Sequence, residues 1–374
     1  MKAINLIRRN IANIPGWVSD RKIIVFESDD WGSIRMPSKR TFNKLNALGL
    51  DLESEGYARY NLYDTLANKD DLQCLFEVLD EFKDINGNPC IFTAVSVVAN
   101  PDFKKIEEND YMNYYYEPFT KTLEAYYPGQ NVFEMWQLGI SKKVFFPQFH
   151  GREHLNISAW MDALRLNHQH TRQAFDFGFW GFVPDKSTRF SVENQAAFAV
   201  YGINDISIHR EILNEGLALF KQLFGYSAKY FVPPNGPFNN ALNETLWANG
   251  IRLRSTAKIQ NESVGNHKIR KNICWLGKKD SSGIRYITRN CFFEPSQPGM
   301  DWIDSCLNDI KIAFRWRKPA IISSHRVNYI GVHDKKNRDN SLLLLRDLLA
   351  LIKKEWPDCE FYSTDHLEQL MERN

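Results

Sequence analysis

The 374-residue sequence lacks any uninterrupted apolar run near the ~20 residues that a membrane-spanning helix requires. Residues 1–12 are interrupted by Arg8 and Arg9, too early to form the apolar core of a signal peptide. The net charge of +2 gives no broad electrostatic reason to bind nucleic acid or a membrane surface. These absences predict a cytoplasmic protein without an integral membrane segment and without a nucleic-acid partner.

Closely spaced cysteines are also absent, because the six cysteines are scattered and no C-x-x-C motif occurs. This argues against a structural zinc knuckle and against a disulfide framework. The sequence has no low-complexity segment, repeat or linker, and its 43% hydrophobic and 25% charged residues are those of an ordinary globular protein. We therefore predict a single catalytic domain over 1–374 with its core over 20–365. The N-terminal segment 1–19 is expected to dock on it through a short amphipathic helix over 3–14.

Short apolar runs alternate with segments of helical periodicity from one end of the chain to the other. This alternation predicts an α/β fold with a mainly parallel sheet, either open or rolled into a barrel. The pattern is lost over 100–140, where we predict an elaborated loop insertion. Its tyrosines between 111 and 127 either give stacking surface to a substrate cleft or pack as part of a structural insertion.

A pair of carboxylates, Asp29 and Asp30, follows the apolar run Ile23–Phe26. Such a run is typical of a strand that is buried on both faces. Loops after the carboxyl ends of parallel strands carry the chemistry in α/β folds. Two adjacent carboxylates there could divide the work, one holding a cation and the other accepting a proton. The competing interpretation is that Asp is simply common in turns that follow strands.

Two histidines, His150 and His154, follow another predicted strand over 144–149. Histidines four apart lie on one face of a helix or of a tight helical turn, so both could bind one metal ion. The H-x-x-x-H pattern alone is weak, but here it follows a strand end, as Asp29 and Asp30 do. Two histidines and a carboxylate make an open three-ligand site for zinc or another divalent cation. A further histidine, His325, ends the apolar strand 320–324.

Four motifs, in this order, resemble those of the polysaccharide deacetylases, the family that shares the NodB homology domain. They are Glu27-Ser-Asp-Asp30, His150–His154, Phe231-Val-Pro-Pro-Asn-Gly236 and Ser323-Ser-His325. The pair Asp301-Trp302 resembles the end of the family's Asp-Trp motif.

This resemblance implies a distorted (β/α) barrel that hydrolyses an N- or O-acetyl group on a sugar. Asp30, His150 and His154 would bind the metal ion, Asp29 would be the general base and His325 the general acid. The implied ion is divalent, zinc before cobalt, nickel or manganese. We expect the substrate to be an acetylated saccharide, a precursor of a cell-surface polysaccharide. The residues expected to contact it are Trp31, Pro234, Asn235, Gly236 and Arg326.

Three positions depart from the pattern of the family. Val232 stands where the family has an arginine that pairs with the base aspartate, and Ser323 replaces an expected leucine. The first aspartate of the Asp-Trp motif is missing, with Gln297 or Pro298 near its place.

The missing arginine leaves three hypotheses open. Arg152 or Arg326 could replace it and preserve the reaction. Alternatively, the chain is a sugar-binding relative that keeps the metal and has no turnover. The third hypothesis, a metal-free sugar hydrolase with paired carboxylates, would make the histidines incidental.

Overall fold

The computed structural model describes residues 2–54, 56–182, 193–265 and 268–372, with side chains from residue 7 onward. The helices are α1 (Lys2–Ala12), α2 (Lys39–Ala47), α3 (Ala58–Tyr63), α4 (Lys69–Glu81), α5 (Phe103–Glu108), α6 (Phe119–Tyr126), α7 (Val132–Ser141), α8 (Ile157–Arg165), α9 (Gln169–Asp176), α10 (Asp205–Phe224), α11 (Asn243–Ala248), α12 (Trp302–Arg315), α13 (Lys335–Glu355) and α14 (His366–Glu372). The strands are β1 (Ile23–Trp31), β2 (Phe92–Ser96), β3 (Ala99–Pro101), β4 (Tyr116–Pro118), β5 (Phe145–Phe149), β6 (Tyr230–Phe231), β7 (Leu253–Ser255), β8 (Ile259–Gly265), β9 (Lys268–Ile273), β10 (Arg285–Ile287), β11 (Cys291–Phe292), β12 (Ala320–His325) and β13 (Glu360–Phe361). Short 3-10 helices span Asn240–Leu242 and Arg326–Tyr329.

Among the described residues, nine strands form one sheet in the order β10-β7-β6-β5-β2-β1-β12-β11, with β13 paired to the start of β1. Every pairing in this sheet is parallel. Parallel strands require crossover connections, and helices supply most of them here. The carboxyl ends of the strands therefore lie along one edge of the sheet.

The sheet is strongly curled. Along the sheet, β10 is five strand spacings from β1, or roughly 24 Å at ~4.8 Å per spacing. Nevertheless Arg289, which follows β10, makes hydrogen bonds to Asp29 on β1. Such contact requires the sheet to curl into an incomplete barrel, and no pairing between described residues closes it between β10 and β11. The distorted (β/α) barrel predicted from the sequence is confirmed.

Strand β1 is buried along its whole length and contributes to two apolar clusters. Ile24 and Phe26 pack beneath helices α4, α7, α12 and α13 on the outer face of the sheet. Ile23 and Val25 belong to a smaller cluster with residues of β2, β6, β7, β10 and β12. Because successive strand residues point to opposite faces, the short apolar run of the sequence fills both layers.

The stretch 100–140 is a structured excursion between β2 and β5. It contains helices α5, α6 and α7, and strand β4, which pairs antiparallel with β3. The segment predicted as an elaborated loop insertion therefore consists of short helices and strands around one antiparallel pair of strands. Across the described part of the chain, no helix has both the length and the apolar character needed to span a membrane.

Candidate active site

A cavity of about 730 Å³ opens at the carboxyl ends of β1, β5, β6, β7 and β12. This is where the topology of a parallel sheet collects the loops that follow its strands. The residues on its wall that the sequence predicted for the site are Asp29, Asp30, His150, His154, Asn235, Gly236 and His325.

Both carboxylates at the end of β1 reach this cavity. In a regular strand, consecutive side chains point to opposite faces, so Asp29 and Asp30 would diverge. The register between β1 and β2 shifts between Ser28 and Trp31, and the φ of Asp30 is 76°. This local break in the strand brings the two neighbouring carboxylates to the same side. A left-handed backbone at a residue other than glycine is costly and is often found at functional sites.

Asp30, His150 and His154 form a compact buried cluster whose candidate ligand atoms all lie within 4.8 Å of one another. Asp30 Oδ1 is 3.4 Å from His150 Nε2 and 3.1 Å from His154 Nε2. His150 Nδ1 lies 2.8 Å from the carbonyl oxygen of Val232, so this nitrogen donates the hydrogen bond and Nε2 is the nitrogen that faces Asp30. That Nε2 is buried without a hydrogen-bond partner among the described residues.

The charge state of this cluster suits a divalent cation. Burial lowers the pKa of His154 to about 4, which keeps its imidazole neutral. Burial would raise the pKa of Asp30, but Arg35 and the two histidines hold it well below its usual value. A carboxylate and two imidazoles are the donor set of an open three-ligand metal site. The three residues therefore fit such an ion.

The two histidines come together in a loop, and the expected helix or helical turn is wrong. Residues 150–156 are irregular, and the next helix, α8, begins at Ile157. The carbonyl oxygen of Arg152 accepts hydrogen bonds from Val98 and Ala99, which fixes the loop against the end of β2. The ring centroids of His150 and His154 are 5.0 Å apart as a result.

Arg326 was predicted to contact substrate, and this prediction is wrong. Its side chain is completely buried and makes two hydrogen bonds of 3.0 Å to Asp64, plus one of 2.7 Å to the carbonyl oxygen of Ser33. Asp64 also lies 3.6 Å from Arg35, which pairs with Asp30 at 3.2 Å. Arg326 thus begins a row of alternating charges, continued by Asp64 and Arg35, that ends at Asp30 in the cluster with the two histidines.

Trp31 was also assigned to substrate binding, and the structure places it in the core. Its side chain is 1% exposed, packs edge-on against Trp136 and Phe145, and donates a hydrogen bond to Ser28 Oγ. It follows the bulge at Asp30, so its ring lies on the helix-covered face of the sheet. Trp31 therefore supports the turn and does not line the cavity.

The arginine that pairs with Asp29 is Arg289, which sequence reasoning missed. Its guanidinium makes two hydrogen bonds of 2.6 Å to the Asp29 carboxylate and one of 2.5 Å to Glu27. Glu27 is fully buried and also accepts hydrogen bonds from Tyr230 and Thr364. Burial would raise the pKa of Asp29, but Arg289 outweighs burial and holds it below the usual value.

Neither arginine suggested as a replacement occupies this place. Arg152 pairs with Glu153 and Glu215, and Arg326 pairs with Asp64. Arg289 lies two residues after the end of β10, a strand remote from β1 along the chain, and no motif in the sequence marks it.

His325 lies opposite Asp29 in the register of β1 and β12, with its Nε2 3.9 Å from Asp29 Oδ2. Its Nδ1 lies 2.5 Å from Glu294 Oε1. Burial would lower the pKa of His325, but Glu294 outweighs burial and raises it to about 9. The imidazole is therefore protonated at neutral pH.

The first aspartate of the Asp-Trp motif is missing near Gln297 and Pro298, and the carboxylate beside His325 comes from Glu294, just before them. Asp301 is the N-cap of α12, where its side chain accepts a hydrogen bond from the backbone of Asp304. The Asp-Trp resemblance therefore identifies a helix start. The acidic residue near His325 comes from the segment after β11.

The proline-rich loop contributes two of its three predicted residues to the cavity. Asn235 and Gly236 line the wall, and Asn235 Nδ2 donates a 2.6 Å hydrogen bond to Glu193. Pro234 is buried and does not line the wall, so its expected substrate contact is not supported. Pro233, its neighbour, is on the wall instead.

The tyrosines between 111 and 127 do not line the cavity, so the expected stacking surface is wrong and the structural alternative holds. Tyr114 packs edge-on near Trp160, and Tyr116 lies against the guanidinium of Arg152 at 4.1 Å. Tyr127 donates a hydrogen bond to the carbonyl oxygen of Leu66. These rings join the excursion to the body of the fold.

Neither a family model nor a curated protein matches this chain. Solved structures with similar architecture include two proteins provisionally assigned as polysaccharide deacetylases, the family that the motifs resemble. The one from Mycobacterium smegmatis shares 12% identity at a TM-score of 0.45, over 96% of this chain and 93% of the other. The one from Pseudomonas aeruginosa PAO1 shares 8% identity at a TM-score of 0.48, over 95% and 92%.

A further similar structure is the α-amylase AmyC from Thermotoga maritima. It shares 9% identity at a TM-score of 0.45, over 93% of this chain and 74% of the other. Because the identities are this low and the TM-scores are below 0.5, the function proposed next rests on the residues of the site.

Proposed function

We propose that this protein is a metal-dependent hydrolase that removes an N- or O-linked acetyl group from a saccharide. One observation carries the proposal: a single cavity holds the Asp30, His150 and His154 cluster with Asp29 and His325 beside it. Asp29 is held ionised and His325 is held protonated, so a base and an acid are present together at neutral pH. Two titrating groups with pKa values pushed apart are the signature of an acid–base pair.

The roles follow from these charge states. A divalent cation held by Asp30, His150 and His154 would polarise the acetyl carbonyl and acidify a water molecule. Asp29, oriented by the two-pronged contact with Arg289, accepts the proton of the attacking water. His325, charged because of Glu294, donates its proton to the departing amine or alcohol. Acetate and the deacetylated sugar are the products.

The cavity wall supports a polar substrate of the size of one or two sugar rings. At about 730 Å³ the cavity is in the range of small-molecule sites. Four amide side chains that can form hydrogen bonds with sugar hydroxyls line the cavity, those of Gln195, Asn235, Gln260 and Asn261. We place the whole activity in one domain over 1–374, propose zinc as the ion, and propose an acetylated precursor of a cell-surface polysaccharide as a cytoplasmic substrate.

The alternative of a sugar-binding relative without turnover was motivated by the missing arginine at Val232. Arg289 makes the expected contact with Asp29, which removes that motive. The metal-free hydrolase hypothesis has no support from the buried, mutually oriented histidines.

The test combines metal analysis of purified protein with acetate release from acetylated saccharides, before and after chelation and zinc or cobalt addition. His154→Ala should lose stoichiometric metal and acetate release while staying folded. His170→Ala, which removes a histidine from α9 outside the cavity, is the matched control and should change neither.

Each other outcome has a defined meaning. Metal retained in His154→Ala would show that the ligand assignment is wrong. Stoichiometric metal without any acetate release would favour the sugar-binding alternative. Acetate release that persists after complete removal of metal would favour the metal-free hydrolase.

A further inference from the structure

The end of helix α1 and the turn after it contact the domain through polar side chains. Asn10 Oδ1 accepts hydrogen bonds from Arg315 and Trp316, and Asn13 Oδ1 accepts one from Asn290. Ile7 and Ile11 of α1, and Ile14 just after its end, are 58%, 59% and 51% exposed. An amphipathic helix of a globular protein normally buries its apolar stripe, so the exposure of these isoleucines leaves an apolar stripe without a partner in the described chain.

The β8–β9 hairpin has the same arrangement. Its inward face carries the buried polar side chains of Gln260 and Glu262, which bond to Asn240 and Asn272. Its outward face is set by the strand register, in which Ile259 lies opposite Ile273 and Ser263 opposite Ile269. The outward isoleucines, Ile259, Ile269 and Ile273, are 60%, 62% and 69% exposed.

These two apolar faces belong to neighbouring parts of the surface. The backbone N–H of Trp17, shortly after α1, donates a 2.8 Å hydrogen bond to Leu276, shortly after β9. Arg9 of α1 pairs at 3.1 Å with Asp309, whose charge also acts on Lys258 at the base of the hairpin. We call the six isoleucines together with this surrounding surface the isoleucine surface.

The two segments that carry these isoleucines are predominantly basic. Residues 1–19 contain three cations and no acid, and residues 256–279 contain six cations and one acid. That acid is the inward Glu262, which is buried and lies 3.8 Å from Arg270. Apolar side chains among cations are the combination that binds the interface of an anionic lipid bilayer.

We propose that the isoleucine surface is a peripheral docking site for an anionic lipid bilayer. Ile259 and Asn261, which share the outward face of the hairpin, also line the active-site cavity. The docking face is therefore continuous with the cavity mouth, and docking holds that mouth at the bilayer surface. Together with the proposed function, docking implies that the substrate is a saccharide carried on a lipid, and this implication rests on that function. The docking proposal itself does not depend on the proposed function.

The test is sedimentation of the full chain with vesicles of phosphatidylcholine alone or mixed with phosphatidylglycerol. We expect binding to the mixed vesicles, weakened by added salt, and little binding to the neutral ones. Ile7→Ser with Ile11→Ser, and separately Ile269→Ser with Ile273→Ser, should each lower partitioning by about tenfold or more. Ile85→Ser, at a 59% exposed isoleucine on the turn between α4 and β2, is the matched control and should bind normally.

Two variant pairs on different elements keep the test decisive if one pair unfolds. Acetate release from a soluble acetylated saccharide, measured in parallel, reports on the proposed function and should be unchanged in all these variants. Absence of sedimentation, equal binding to neutral vesicles, or an equal loss in Ile85→Ser would overturn the docking proposal. A further outcome would also overturn it: the protein self-associates, these variants make it monomeric, and it never binds vesicles. In that case a second copy of the chain covers the isoleucine surface.

Discussion

Two neighbouring strands, β1 and β12, each end in a pair of adjacent charged residues, and the two pairs are used differently. Asp29 and Asp30 at the end of β1 both line the cavity. At the end of β12, His325 lines the cavity, whereas Arg326 is completely buried against Asp64. Because Asp29 and His325 are register partners, the two ends can be compared residue by residue.

The difference lies in the backbone. His325 keeps an extended conformation with φ −132° and ψ 150°, so the next residue, Arg326, points away as alternation requires. Asp30 has φ 76° within a register shift, and alternation fails there. A regular strand end therefore places one of two consecutive side chains in a site, and both enter the site only where the strand is broken.

The largest effects should come from the two cavity-facing register partners. Asp29→Asn and His325→Ala should each lower kcat by on the order of 10²–10⁴-fold, because each removes one proton transfer, and both should retain metal. With an activated aryl acetate, whose leaving group needs no proton, the loss for His325→Ala should become small and that for Asp29→Asn should persist. Equal losses on both substrates for His325→Ala would show that its role is structural.

Arg326→Met tests the member of the β12 pair that points away. It leaves the buried carboxylate of Asp64 without its main partner, so we expect a loss of about 3–5 kcal/mol in the free energy of unfolding, measured with urea. Replacing both residues, as Arg326→Met with Asp64→Leu, should recover much of that loss. A change in KM at unchanged stability would restore Arg326 to the substrate site.

Gly32→Ala tests the broken end of β1. Gly32 has φ 79°, and an added Cβ would lie 2.6 Å from the carbonyl oxygen of Val97. We expect a loss of roughly 2–5 kcal/mol in unfolding free energy, the sum of left-handed strain and overpacking, together with weaker metal binding. Gly49→Ala has a similar φ of 88° and open space around it, so only the strain of roughly 1–2 kcal/mol should appear. Equal losses in the two variants would contradict the packing argument.

The smallest effect concerns the tuning of His325. The protonated imidazole is the active form, and Glu294 raises its pKa to about 9, so kcat should fall as the pH rises through that value. Glu294→Gln removes the negative charge, lowers the pKa of His325 and moves this alkaline limb to lower pH. The measurement is a kcat–pH profile of both forms. An alkaline limb that does not move would assign it to another group.

Much of the framework could be predicted from local sequence. The short apolar runs located β1, β2, β5 and β12, because burial on both faces demands continuous apolar residues. Polar residues directly after those runs then had to meet at one edge of a parallel sheet, which placed Asp29, His150 and His325 near one another. The motif resemblance added roles but no geometry.

Other parts depended on contacts between distant segments. Arg289 and Glu294 follow β10 and β11, more than 250 residues after Asp29 in the chain, and meet the site only because the sheet curls. The directions of Asp30, Trp31 and Arg326 depend on one bulge and on one extended residue, neither of which has a local sequence signal.

The sequence by itself predicted the strands β1, β2, β5 and β12, the edge at which their polar residues gather, and the presence of Asp29, Asp30, His150, His154 and His325 at that edge. Their side chains follow strand ends, and strand ends are set by local apolar patterning. Only the tertiary structure decided which charges pair, which of two neighbours faces the cavity, and that Ile7 and Ile11 of α1 are exposed. Those outcomes depend on which remote groups satisfy each buried polar atom, and the curl of the sheet brings those groups together.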